Sequence, residues 1–131
     1  MIRRLSRSVA LSLVLSACFA LAGMTRVEAE VRFGPPADVA AVSALATSVK
    51  AASATLGPVV VVGTAAYFNI YWHDSAEYLA KKVNGKWKVV ERTGGAGTAA
   101  TYAQYTHGAL TAAQICALGH HIPESPITDC R

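Results

Sequence analysis

From Ala37 to Thr55, apolar residues recur every three or four positions: Val39, Val42, Leu45, Ala46 and Val49. Serines, threonines and Lys50 fill the other positions, and this period predicts one amphipathic helix. Pro35-Pro36 pre-sets its start, and Gly57-Pro58 is expected to end it. The period then falls to two. Val59 to Val62 is a short β-branched run closed by Gly63. Thr64 to Trp72 alternates Ala66, Phe68, Ile70 and Trp72 against Ala65, Tyr67, Asn69 and Tyr71, as a strand would. His73-Asp74-Ser75 reads as a turn. Two further strands, Glu77 to Val83 and Lys86 to Arg92, flank Asn84-Gly85, a pair that tolerates both left-handed positions of a type I′ turn.

A two-residue loop sets the hairpin register. Lys82 then faces Trp87, Lys81 faces Lys88, Ala80 faces Val89, Leu79 faces Val90 and Tyr78 faces Glu91. The face carrying Tyr78, Ala80, Trp87 and Val89 is the expected core side, with the Lys82 stem lying along the indole. Lys81 and Lys88, opposite each other, must point to solvent or to an anion. Thr93 to Thr98 is a glycine-rich loop, and Ala99 to His107 suits a strand or a helical turn equally. Thr111 opens a short helix: Gln114 completes a capping box, Leu110 can staple onto Ile115, and Gly119 is the expected C-cap. Pro123 and Pro126 make the tail irregular. The expected fold is α+β: an N-terminal helix packed on a three- to four-stranded antiparallel sheet, closed by a short C-terminal helix.

Residues 1–29 change how the composition is understood. Arg3, Arg4 and Arg7 precede an apolar run from Val9 to Ala22, and Val27-Glu28-Ala29 offers a small-x-small cleavage site, the layout of an export signal. The run is too short for a membrane-spanning helix, which needs about 20 residues. The whole chain carries a formal charge of +4. Cleavage after Ala29 leaves eight basic and seven acidic residues, a net charge of +1. A nucleic-acid partner is thereby excluded. Residues 30–131, without repeats or linkers, form one domain in a periplasmic or secreted protein. Leu15-Ser16-Ala17-Cys18 also resembles a lipobox, so lipidation at Cys18 is the alternative, giving a lipid-anchored protein and the one expected membrane contact.

Export places Cys116 and Cys130 in an oxidising compartment, where a disulfide is expected to tether the C-terminal helix. The competing arrangement is a copper or zinc site using histidines, with His107, His120 and His121 as ligands, or His120 and His121 beside the two cysteines; the Cys-x3-His-His-x8-Cys spacing fits no regular zinc pattern. His73-Asp74 could be half of an acid/base pair, but no nucleophile or second carboxylate stands at a telling distance in sequence. Gly94-Gly95-Ala96-Gly97 lacks the Gly-Lys-Ser/Thr ending of a phosphate loop. Tyr67 and Tyr71, on the face away from the helix, together with Lys81, Lys86 and Lys88, are the candidate partner surface.

Ala76-Glu77-Tyr78-Leu79-Ala80-Lys81-Lys82, then Asn84-Gly85-Lys86-Trp87, Val89-Val90 and Gly94-Gly95, resembles an arrangement in small secreted bacterial proteins. Some of these are named for copper-uptake systems. The likeness runs from Tyr67 to Pro123 and implies an α+β architecture; Ser75-Ala76 stands where those relatives tend to have paired glycines. Together these features point to a non-enzymatic binding or accessory protein of the bacterial envelope, with a protein or small-molecule partner and no cofactor. Metal handling is the alternative. Mass spectrometry of the mature protein checks both: reduction should add two hydrogens, and a metal lost on chelation would overturn the cofactor-free reading.

Overall fold

A computed structural model describes residues 31–130. The proposed signal and Cys18 lie outside the described residues. Among those described, five strands form one mixed sheet in the order β1-β2-β3-β4-β5. They are β1 (Arg32–Phe33), β2 (Thr55–Val62), β3 (Ala65–Trp72), β4 (Asp74–Val83) and β5 (Lys86–Thr93), with helices α1 (Pro36–Val49), α2 (Ala99–Tyr105) and α3 (Ala112–Gly119). None of these helices is long and apolar enough to cross a membrane.

The sheet has one more strand than expected and is not wholly antiparallel. The lead-in before Pro35 supplies β1, which pairs in parallel with β2 through Arg32 opposite Val59 and Phe33 opposite Val60. Parallel neighbours need a long crossover, and α1 is that crossover. α1 stops at Val49, well before Gly57-Pro58, because Thr55 and Leu56 are drawn into the ladder opposite Tyr71 and Ile70. Gly57 and Pro58 instead make a bulge between Leu56 and Val59, where the missing proline N–H leaves no ladder bond unmade.

Helices cover both faces of the sheet. Val42 and Ala46 of α1 pack with Val59, Val61, Ala66, Phe68, Ile70 and Ala80. On the opposite face Val60, Ala65, Tyr67 and Leu79 pack with Tyr102 of α2 and with Leu110, Ile115 and Leu118. Consequently Ala65 to Ile70 of β3 are buried on both sides. Tyr67, expected on a partner surface, is only 2% exposed, since α2 and α3 occupy that face. Tyr71 lies beyond their cover and is exposed, as are Lys86 and Lys88, while Lys81 is half-buried.

The β4–β5 hairpin keeps the expected register near its turn, from Val83 opposite Lys86 to Ala80 opposite Val89. Asn84 and Gly85 both take positive φ, 51° and 76°. A bulge then leaves Val90 unpaired, so Leu79 faces Glu91 and Tyr78 faces Arg92, one residue out from the simple hairpin. Val89 packs on the α1 side and Val90 on the other, as plain alternation gives, and beyond the bulge that alternation is reversed. Asp38, in the first turn of α1, accepts hydrogen bonds from Lys82 Nζ at 2.9 Å and Trp87 Nε1 at 3.2 Å. Those two donors hold its carboxyl below the usual range. The Lys82 ammonium stands 6.0 Å from the Trp87 ring centroid, with Asp38 as the partner the sequence did not reveal.

Residues 99–105, ambiguous in sequence, are helical. Thr98 Oγ1 accepts from Thr101 N at 3.2 Å, and Asp129 Oδ1, from the tail, accepts from Ala99 N at 2.8 Å. The Thr111–Gln114 capping box forms with both arms, at 3.1 and 2.9 Å. Gly119 is not the left-handed cap expected: it is the last helical residue, and the cap is His120 in right-handed geometry. A Cβ at Gly119 would lie 3.1 Å from Ile127 Cδ1, so close packing of the tail is what favours glycine there. Cys116 and Cys130 are disulfide-bonded. Closing a loop of this size should stabilise the fold by about 3 kcal/mol. Replacing both cysteines by serine should lower unfolding free energy by about that amount in urea titration; an unchanged midpoint would mean that the backbone bonds of Gly97 to Pro126 and Thr128, the Asp129 bond to Ala99 N and the packing of Ile127 hold the tail without the disulfide.

Candidate functional site

β3 outruns its helical cover by two residues, Tyr71 and Trp72, and this end of the sheet carries the candidate site. Trp72 pairs with Asp74, leaving His73 as the sole residue of the turn, at φ 61°. The expected three-residue turn is thus one residue, with Asp74 and Ser75 in β4. A left-handed non-glycine costs roughly 1–2 kcal/mol, although histidine tolerates it better than most residues. The result is an indole that stays 53% exposed, 5.2 Å from the His73 ring.

A cleft of about 470 Å³ opens between this turn and the end of α1. Ala54 and Ile70, both nearly buried, contribute to its lining along with Val49 and Ala76; Trp72 and Tyr78 add rings, and Lys50, His73, Asp74 and Arg92 add polar groups. Each position has a local cause. Lys50 is extended at the C-cap of α1, an end that favours a cation. Arg92 reaches this face because the β5 bulge reverses the alternation, and its guanidinium stands 5.9 Å from the Tyr78 ring centroid. His73 and Asp74, chosen from sequence as half of an acid/base pair, do line the cleft, but its lining includes no serine, threonine or cysteine to serve as a nucleophile.

Glu77, on the opposite face of β4, is the second notable group. Tyr67 donates to its Oε1 at 3.2 Å, and Thr93 and Tyr102 reach its Oε2 at 3.5 and 3.4 Å. A phenol has one proton, and that of Tyr102 goes to Gly95 O at 2.5 Å. Oε2 is therefore poorly served as an anion. Desolvation raises the Glu77 carboxyl above its ordinary value, outweighing the hydrogen bonds from Tyr67 and Thr93 that favour ionisation. Burial and the nearby carboxylate push Tyr102 up to about 12 and Tyr67 higher still. Neither Glu77 nor Arg92 was chosen from sequence; strand parity with Leu79 could have placed Glu77, whereas nothing in the sequence announced the bulge that places Arg92.

The other sequence candidates do not converge. His107 occupies a left-handed turn after α2, His120 caps α3, and His121 stacks on Phe33 at 3.6 Å. Among the described residues, the single group of three metal-type ligands within 4.8 Å of one another is Cys116, Asp129 and Cys130, whose two sulfurs are joined to each other. Lys81 stands opposite Lys88 as expected, away from the cleft. No family model, no curated protein and no solved structure matches this chain.

Glu77 and Asp38 give stability opposite pH dependences. A carboxyl raised on folding is fully tolerated below its unfolded value, and stability is lost as pH rises through the folded one; a lowered carboxyl contributes above its unfolded value and loses that contribution as pH falls through the folded one. Glu77→Gln should therefore gain on the parent protein as pH rises from about 4 to about 7, read from thermal midpoints. A constant difference across that range would show that Glu77 ionisation carries no cost.

Proposed function

We propose that this is an exported, non-enzymatic binding protein of the bacterial envelope, and that its ligand is a small molecule held in the cleft beside Trp72. One observation carries the reading: the largely exposed indole, projected by a one-residue turn with left-handed backbone, beside a cavity of about 470 Å³. Ligand pockets typically enclose about 300–1,000 Å³ and combine an apolar lining with a few polar groups. Backbone strain persists where the surrounding fold enforces it, and it clusters at ligand clamps. Export is supported by the layout of residues 1–29 and by the disulfide.

Amide chemical-shift mapping with a mixed fragment library tests the reading. Hits should cluster on residues 72–78, and Trp72→Ala should weaken them by about tenfold, the effect of removing an aromatic anchor. Hits confined to the lysine-bearing hairpin would overturn it in favour of a surface around Lys81, Lys86 and Lys88.

A further inference from the structure

The charges around the cleft are unequal. Lys50 and Arg92 stand against one carboxylate, Asp74. Among the described residues the one ion pair is Lys82 with Asp38, so neither cleft cation is neutralised by a salt bridge. Lys50 is half-buried, yet its Nζ makes only a 3.5 Å contact to the neighbouring Ala51 carbonyl, although an ammonium carries three donors. Arg92 is exposed and places its guanidinium over the Tyr78 ring, a contact that leaves the guanidinium edge and its N–H donors available. These two groups are under-used as donors, and both are cationic.

The rest of the cleft is apolar. Ala54 and Ile70 contribute carbon surface, and Val49 and Trp72 remain 43% and 53% exposed beside it. Two large apolar side chains left in water next to a cavity lose free energy in proportion to the area they expose, and an apolar body seated between them would recover it. A bare inorganic anion would use the cations and leave this surface wet. A hydrocarbon amine would meet two like charges.

We propose that the cleft selects an organic anion, a carboxylate or phosphate attached to an apolar body, whose head group lies at Lys50 and Arg92 and whose body lies against Trp72, Val49 and Ile70. This rests on the cleft being the ligand site. Charge-assisted hydrogen bonds from the two cations set the preference for the head group, and buried apolar area sets the preference for the body.

Titration of the isotopically labelled mature protein with octanoate, acetate, octylamine and octyl phosphate, each as a monomer in solution, tests it. Octanoate and octyl phosphate should shift amides of residues 72–78 and bind at least about tenfold more tightly than acetate or octylamine. A tighter octyl phosphate than octanoate would assign the head group as phosphate, and the reverse as carboxylate. Arg92→Glu, at an exposed position, should bring octylamine level with octanoate or ahead of it, and Lys50→Gln should weaken octanoate and octyl phosphate while leaving octylamine no weaker. Octylamine binding the unaltered cleft as tightly as octanoate would overturn the anion assignment while leaving the cleft as a binding site. Acetate matching octanoate would overturn the apolar body. Failure of every probe, together with library hits away from residues 72–78, would remove the cleft reading itself.

Discussion

Covering both faces of β3 is the constraint from which the rest of the architecture follows. Ala65 to Ile70 are buried on both sides, so this six-residue stretch cannot exist in water without one layer on each face. α1 provides the first layer and the α2–α3 pair the second. Each layer then needs its own anchorage. Asp38 ties the start of α1 to Lys82 of β4 and to Trp87 of the edge strand β5. The second layer is short and is anchored through the tail: Asp129 caps α2, Ile127 closes on Gly119, and the disulfide fixes Cys130 to α3.

The candidate site arises where this cover ends. Two short layers cannot shield an eight-residue central strand along its whole length, and β3 emerges at Tyr71 and Trp72. The tight turn at His73 reverses the chain at once, leaving an indole, a cavity and two cations at the open end of the sandwich. On the other side of the same strands, the second layer closes over Glu77 and sets it among hydroxyls from β3, β5 and α2. A single segment of β4, from Asp74 to Tyr78, thus contributes to a solvent-open cleft on one face and a half-buried polar cluster on the other. Alternation of side chains along a strand is enough to produce that division.

Local signals were legible where the physics is local. Asn84-Gly85 specified a hairpin and most of its pairs because two left-handed residues in sequence leave few alternatives. Thr111 and Gln114 announced a helix start because both capping bonds span three residues. Gly57-Pro58 and Gly119 were misleading for the same reason. Their usual local meanings, helix stop and C-cap, yielded to a bulge opposite β3 and to close packing under Ile127. Tyr67 shows the limit from the other direction: it alternates correctly with Phe68, but alternation cannot say whether a second layer covers its face.

By itself the sequence determined the α+β class, the α1 segment in outline, the β4–β5 turn, the α3 start and the cysteine pairing, since each follows from short-range periodicity, turn stereochemistry or a choice between two partners. Tertiary structure alone decided that β1 joins β2 in parallel, that the sheet is covered twice, and that Lys50, His73 and Arg92 border one cleft. Those outcomes depend on contacts between residues far apart in the chain and on one extra residue at Val90. Inserting that residue reverses which side chains face each layer, and no local pattern in β5 distinguishes the two registers.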